Sequence, residues 1–91
     1  MIQKGSRGEL ISVAQVRAAR GLLGWSQADL ASAASVSVPS IKRLEGQGAI
    51  KVSNDLWLAV CWAFEREGVE FIEANGGGVG VRLKRAKPLP R

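Results

Sequence analysis

The sequence predicts a mostly α-helical domain of about four helices that ends in a short C-terminal β-hairpin. From residue 12 to residue 45, apolar side chains recur every three or four positions, which is the period of helices with one buried face, and residues 56–64 form a continuous apolar run. A serine precedes each predicted helix and can cap its first turn. After residue 68 the period becomes two, and a glycine-rich turn separates two short apolar runs, a pattern typical of a hairpin.

The first two predicted helices are separated by a glycine. Helix one runs from the Ser12 N-cap to about Leu23, and Gly24 ends it. Its predicted buried stripe consists of Val13, Val16, Ala19, Leu22 and Leu23. Helix two begins after the Ser26 cap, and Asp29 in its first turn suits the positive end of the helix dipole. Its predicted apolar positions are Ala28, Leu30, Ala31 and Ala34.

The remaining predicted elements follow the same rules. After a turn at residues 35–36, Ser37 caps a third helix over residues 38–45, and Pro39 lies in its first turn, where a missing N–H costs little. Glycines at positions 46 and 48 end this helix. A fourth helix over residues 54–67 is capped by Ser53 and closed by Gly68. Residues 69–72 and 79–83 are the predicted strands, and residues 75–78 supply the turn.

The charge distribution favours a polyanionic partner. The 91 residues carry a formal net charge of +5, and residues 82–91 hold five basic side chains and no acidic one. Residues 51–81 hold five acidic side chains against two basic ones, which indicates a second kind of surface. We expect residues 1–11 to form a flexible arm, residues 12–83 a single domain, and residues 84–91 a basic flexible tail.

Several classes of protein are disfavoured by composition. One cysteine and no histidine argue against a disulfide framework and against a structural zinc site, so no metal and no cofactor are predicted. There is no histidine, tyrosine or clustered carboxylate pair for acid–base catalysis, so we do not expect an enzyme. We expect no secretory signal, because the first eleven residues have no apolar core, and the longest apolar run, residues 56–64, is far short of the about 20 residues of a membrane span. A cytoplasmic location is expected.

One set of residues at fixed spacing resembles the helix-turn-helix of the Cro and phage-repressor (Xre-type) regulators. The matching positions are Arg20, Ser26-Gln27, Leu30-Ala31, Val36-Ser37, Ile41, Leu44-Glu45 and Gly46. Residues 54–67 and the GVEF…GGGVGVRLK ending resemble a subgroup of small bacterial members, so the resemblance covers most of the chain. The sequence departs from the family at Ser35, where glycine is usual, and a positive φ there costs about 1 kcal/mol.

The resemblance implies that helix 38–45 reads base edges in the major groove of double-stranded DNA. The positions that face the bases in this family are Val38, Pro39, Lys42 and Arg43, with Ser40 at the margin. Arg43 is the strongest candidate for direct readout, because its planar fork matches O6 and N7 of guanine. Lys42 can reach a base or a phosphate, and Val38 and Pro39 can contact a thymine methyl group.

Other matching positions are expected to hold the DNA backbone or the scaffold. The amide of Gln27 and the N–H groups at the start of helix two can bind a phosphate. The full set of predicted phosphate contacts is Ser26, Gln27, Ser37, Gln47 and Gly48. In the family, a pair at the positions of Arg20 and Glu45 ties helix one to the end of helix three, so these two residues are expected to align the recognition helix without touching bases.

Residues 56–64 are apolar on every side, so the fourth helix needs cover on every side. The face expected to pack against helices one and three consists of Leu56, Ala59, Val60 and Ala63. We predict a twofold homodimer in which either helix four or an edge strand over residues 79–83 meets its counterpart, because two recognition helices about 34 Å apart can read a palindrome. The predicted dimer interface comprises Trp57, Cys61, Phe64, Val79 and Val81. Alternatively, the hairpin covers this face within one chain.

Two functions from different classes are consistent with these patterns. The leading hypothesis is a sequence-specific, homodimeric transcriptional regulator, most simply a repressor of an inverted-repeat operator. The alternative is a protein-interaction module, an antitoxin or an anti-activator, that binds a partner protein through helix 54–67 and the hairpin. A stoichiometric heterologous partner would favour the second hypothesis, and salt-dependent binding to a twofold DNA site would favour the first.

Overall fold

The computed structural model describes residues 11–46, 52–74 and 76–84. In this part of the chain, four α-helices precede a two-stranded antiparallel sheet, which confirms the predicted fold class. The helices are α1 (Val13–Leu23), α2 (Gln27–Ala34), α3 (Val38–Glu45) and α4 (Asn54–Arg66), and the strands are β1 (Val69–Ile72) and β2 (Gly80–Leu83). Most of the predicted N-terminal arm and of the basic tail lies outside the described residues.

Each helix begins at its predicted serine cap. The hydroxyl oxygens of Ser12, Ser26, Ser37 and Ser53 each accept a hydrogen bond from the backbone N–H three residues later. Two boundaries differ from the prediction by one residue. The fourth helix ends at Arg66 because the N–H of Glu67 turns back to the carbonyl of Phe64. The second strand begins at Gly80, which forms the last cross-strand pair of the hairpin with Ile72.

The buried stripe of α1 differs from the predicted one. Its buried residues are Gln15, Val16 and Ala19, whereas Val13 is half-buried and Leu22 is 42% exposed. The stripe therefore continues to the half-buried Leu23, four positions after Ala19, and leaves Leu22 on the outside of the helix. Ala28 of α2 is likewise exposed, as are its neighbours Ser26 and Asp29.

The core is centred on Phe64 of α4. The largest fully buried side chains are Phe64, Leu30, Ile41, Val16, Val60, Val69 and Cys61. The ring of Trp25 stacks on Phe64 with centroids 5.6 Å apart, and the ring of Phe71 meets Phe64 edge-on at 5.9 Å. The main neighbours of α4 are α2 and β1, not helices one and three as predicted. Among the described residues, no helix has both the length and the apolar content needed to cross a membrane.

The hairpin is attached to α1 by one buried amide. The side chain of Gln15 donates from Nε2 to the carbonyls of Ile72 (3.2 Å) and Gly80 (2.9 Å). Its Oε1 atom accepts from the N–H of Ser12 at 2.8 Å, so the buried amide is satisfied at both ends. Because Ile72 and Gly80 form the pair next to the turn, this contact holds the turn end of the hairpin against the start of α1.

Candidate nucleic-acid interface

The third helix has one anchored face and one outward face. Ile41, Leu44 and Glu45 are buried against the domain. The outward side carries Pro39, Lys42 and Arg43, all exposed, while Val38 and Ser40 are half-buried at its margins. The structure therefore brings the five predicted base-facing residues together on one short helix. The three exposed residues among them, Pro39, Lys42 and Arg43, lie on its outward face.

The turn between α2 and α3 places the two helices close together. Ser35 adopts φ +60° and ψ +43°, the left-handed conformation expected at this position despite the absence of glycine. The N–H of Val36 then returns to the carbonyl of Ala31 at 2.9 Å. Ala31 is nearly fully buried, and its small side chain permits the close crossing of the helices.

The N-terminus of α3 is closed by a serine pair. The hydroxyl of Ser37 accepts from the N–H of Ser40 at 3.1 Å, and the two hydroxyl oxygens lie 2.9 Å apart. Pro39 occupies the first turn, where no intrahelical N–H bond is lost. Ser37 is exposed, so its hydroxyl lies at the surface at the start of α3.

Arg20 and Glu45 form the predicted pair. Nε of Arg20 donates to Oε2 of Glu45 at 2.9 Å, and Nη2 donates to Oε1 at 2.8 Å, a two-point contact. Nη1 donates to the carbonyl of Trp25 at 3.2 Å. The hydrogen bond with Glu45 raises the pKa of Arg20, an effect that exceeds the opposing effect of burial, so the guanidinium stays charged. This geometry ties α1 to the last residue of α3.

Two further side chains converge on Glu45, which is only 3% exposed. Gln27 donates from Nε2 to Oε1 at 3.2 Å, so its amide is shared with the scaffold and held at the start of α2. Arg17, which the sequence reasoning missed, donates from Nη2 to the backbone carbonyl of Glu45 at 2.6 Å. The sequence signal for Arg17 was its position three residues before Arg20, one turn along the same helix face.

Three of the five predicted phosphate contacts, Ser26, Gln27 and Ser37, lie in the described part of the chain. The hydroxyl of Ser26 caps α2 by accepting from the N–H of Asp29 at 3.0 Å, and Gln27 and Ser37 are placed as described above. Gln47 and Gly48 lie outside the described residues. Gly46 ends α3 at a crowded point, where an added Cβ would lie 3.1 Å from the carbonyl oxygen of Lys42.

The predicted dimer interface requires correction. Cys61 and Phe64 are fully buried within the single chain, because the hairpin and α2 cover that side of α4, so neither side chain can contact a second subunit. Trp57 and Val81 are half-buried and pack against the core. Val79 is exposed but precedes the second strand. The exposed aromatic residue of α4 is Trp62 instead, at 65% exposure, which the prediction omitted.

Comparison with known proteins adds no family assignment. No protein-family model matches the chain, and a search of curated proteins found no similar sequence.

Proposed function

We propose that this protein is a sequence-specific DNA-binding transcriptional regulator whose α3 helix enters the major groove. The observation that carries the proposal is the outward face of α3, where Pro39, Lys42 and Arg43 are exposed while the opposite face is anchored in the core. A helix that is fixed on one side and basic on the other is the arrangement that base reading requires. The resemblance to Xre-type regulators supports the same proposal.

The charge environment of this face supports a polyanionic ligand. Within residues 11–46, 52–74 and 76–84, no carboxylate lies within ion-pairing distance of Lys42 or Arg43. Both side chains are exposed, so their charges are available to a ligand. The exposed Arg82, in contrast, is paired with Glu70 on the hairpin at 3.1 Å.

The residues divide by role in the proposed complex. Arg43 reads a guanine through its planar fork, and Lys42 contacts a base edge or a phosphate. Val38 and Pro39 offer apolar contact to thymine methyl groups, and Ser40 lies at the edge of the groove. The simplest regulator of this kind is a homodimeric repressor that acts in the cytoplasm on an inverted repeat.

Phosphate binding is assigned to the junction of α1, α2 and α3. Gln27 lies at the first turn of α2, and Arg17 is 50% exposed with one Nη2 bond to the end of α3. The remaining guanidinium N–H groups of Arg17 can donate to a DNA phosphate without breaking that contact. Two arginines face the single carboxylate of Glu45, so the part of the junction around Glu45 has a net positive charge, which favours a phosphate.

Selection of bound sites from a random double-stranded DNA pool tests the proposal. We expect enrichment of a twofold site and a steep loss of affinity as salt is raised. On the selected site, Arg43→Ala should lose about 10- to 100-fold in affinity, which corresponds to about 1–3 kcal/mol for one bidentate base contact. Arg82→Ala removes the same charge from the hairpin and should leave affinity nearly unchanged.

Two results would contradict the proposal. A pool that shows no enrichment at low salt would exclude sequence-specific binding. Equal losses from Arg43→Ala and Arg82→Ala would show that the two charges act only through the net field, and the assignment of α3 as the reading helix would then be wrong.

A further inference from the structure

The outward face of α4 carries an ordered stripe of four side chains. Asp55, Leu58, Trp62 and Arg66 follow one another at spacings of three, four and four residues, which keeps them within about 80° of the helix circumference. The buried residues of the same helix, Val60, Cys61, Ala63 and Phe64, lie on the opposite side. We call the four outward residues the α4 stripe.

The centre of the α4 stripe is apolar and accessible. Trp62 is 65% exposed, and Leu58 beside it is half-buried. Trp57 and Leu56, by contrast, pack against the core. Trp62 is therefore the aromatic residue of α4 that faces outward. Trp62 and Leu58 together form a small apolar patch on the surface, and tryptophan is among the residues that most often anchor protein interfaces.

The two ends of the α4 stripe carry opposite charges. Asp55, in the first turn, and Arg66, at the last residue, are both exposed. Arg66 is held in place by a hydrogen bond from Nη2 to the carbonyl of Ala33 at 2.7 Å, which leaves its other N–H groups available. Asp55 and Arg66 are eleven positions apart, which corresponds to about 16 Å along the helix axis.

We propose that a second copy of this chain covers the α4 stripe, with the two α4 helices antiparallel about a twofold axis. Along each helix the α4 stripe runs from an acidic residue through two apolar residues to a basic residue. When two copies lie antiparallel, each acidic end therefore faces a basic end and the apolar residues face each other. The antiparallel pairing places Asp55 of each chain against Arg66 of the partner subunit, and the apolar pairs Leu58 and Trp62 meet at the centre. A parallel pairing would instead place like charges together, so the stripe selects the antiparallel arrangement.

This interface replaces the one predicted from sequence and forms a weak dimer. One tryptophan and one half-buried leucine from each chain bury far less than the about 1,600 Å² of a standard interface. The free chain is therefore expected to dissociate as it is diluted. The inference rests on the proposed function in one respect, because an inverted-repeat DNA site would bring two chains together and stabilise this dimer.

Sedimentation velocity over a range of protein concentrations tests the interface without DNA. The native chain should show a reversible monomer–dimer equilibrium. Trp62→Ala should weaken the dimer at least about 10-fold, because the aromatic residue is its largest apolar contact. Leu22→Ala removes an exposed apolar side chain from α1 and should leave the equilibrium unchanged. A native chain that stays monomeric at its highest soluble concentration, or equal effects of the two variants, would overturn the proposal.

Charge reversal with mixing tests the antiparallel pairing itself. Asp55→Lys and Arg66→Glu should each abolish the homodimer, because each creates two like-charge contacts across the axis. Mixing the two variants in equal amounts should restore a heterodimer, since both contacts again join opposite charges. The local effect of each substitution on its own helix is the same in the mixture and cannot produce this rescue. A mixture that remains monomeric would overturn the pairing.

Binding to a half-site and to a full inverted repeat separates the two proposals. If the native chain dimerises through the α4 stripe but selects no DNA site, the interface stands and the proposed function is wrong. If Trp62→Ala binds a half-site as well as the native chain does but loses affinity only for the full repeat, both proposals are supported. Full-repeat binding that is unaffected by Trp62→Ala would contradict the interface and leave the function intact.

Discussion

The guanidinium of Arg20 holds both carboxylate oxygens of Glu45, at 2.9 Å and 2.8 Å, and so joins the first helix to the last residue of the third. The same carboxylate receives the amide of Gln27 at 3.2 Å. One buried acid thus connects α1, α2 and α3. The orientation of the proposed reading helix depends on this connection, because α3 is only eight residues long and a helix of that length is stable only through its tertiary contacts.

Removing Arg20 should destabilise the fold. Arg20→Ala leaves a buried carboxylate without its main partner, which costs on the order of 3–5 kcal/mol in well-buried pairs. We expect the low end of that range, because Arg17 and Gln27 still approach Glu45. Urea unfolding measures the change. Arg82→Ala is the control: it breaks an exposed pair and should cost less than about 1 kcal/mol, and equal losses would contradict the structural role of Arg20.

Gln15 should be needed for docking of the hairpin. Gln15→Leu leaves the carbonyls of Ile72 and Gly80 without their side-chain donor, and we expect a loss of about 1–3 kcal/mol in urea unfolding. Gln15→Glu should also be destabilising at neutral pH, because an ionised carboxylate cannot donate to two carbonyls.

The pH dependence of Gln15→Glu has a definite sign. Burial against carbonyls raises the pKa of the introduced carboxyl above its unfolded value. Its favourable state is therefore the protonated one, which is present at low pH and lost as pH rises through the folded pKa. The stability difference from the native chain should shrink on acidification. A pH-independent difference, or native stability at pH 7, would contradict the predicted donor role.

Ser35→Gly should stabilise the turn between α2 and α3. Ser35 adopts φ +60°, which a residue with a Cβ adopts at a cost and glycine adopts freely. We expect a net gain of up to about 0.5 kcal/mol in thermal or urea unfolding, because the larger entropy loss of glycine offsets part of the relieved strain. Ser32→Gly, in the interior of α2, should instead lower stability by about 0.5 kcal/mol. Similar signs for the two variants would show that no strain is stored at Ser35.

Phe64 and Trp62 should respond differently to truncation, although they lie two residues apart on α4. Phe64 is fully buried between Trp25 and Phe71, so Phe64→Ala should cost about 3–5 kcal/mol. Trp62→Ala, measured on dilute protein, should cost less than about 1 kcal/mol, because that side chain is 65% exposed. A large loss from Trp62→Ala at low concentration would show that the stripe packs within the single chain.

Arg17 should contribute to DNA affinity without contributing to base specificity. Arg17→Ala is expected to weaken binding to all sequences alike and to reduce the slope of log affinity against log salt by about 1. Arg43→Ala should instead relax the preference at one base position. Binding titrations at several salt concentrations measure both effects. A change in the preferred sequence on loss of Arg17 would contradict the assignment to a phosphate.

The local sequence was sufficient to predict the positions of the helices and strands and much of the candidate nucleic-acid interface. Serine caps, a glycine after α1 and the change of period near residue 68 are signals carried by neighbouring residues, and they located every helix and strand to within one residue. The pairing of Arg20 with Glu45 and the αL conformation of Ser35 were also anticipated, from the resemblance. The caps and the turn depend on backbone propensity and local spacing, whereas the Arg20–Glu45 pair joins residues 25 positions apart and was expected from the resemblance alone.

The three-dimensional structure was needed to determine which helix or strand covers which face of its neighbours, and therefore which side chains are buried. An all-apolar helix such as residues 56–64 has no pattern that distinguishes its inner from its outer face. The hairpin and α2 cover Cys61 and Phe64, and this leaves Trp62 outside. The roles of Gln15 and Arg17 likewise arise from contacts more than 25 residues apart in sequence. Long-range contacts of this kind follow from the arrangement of complete elements in space, which local periodicity does not encode.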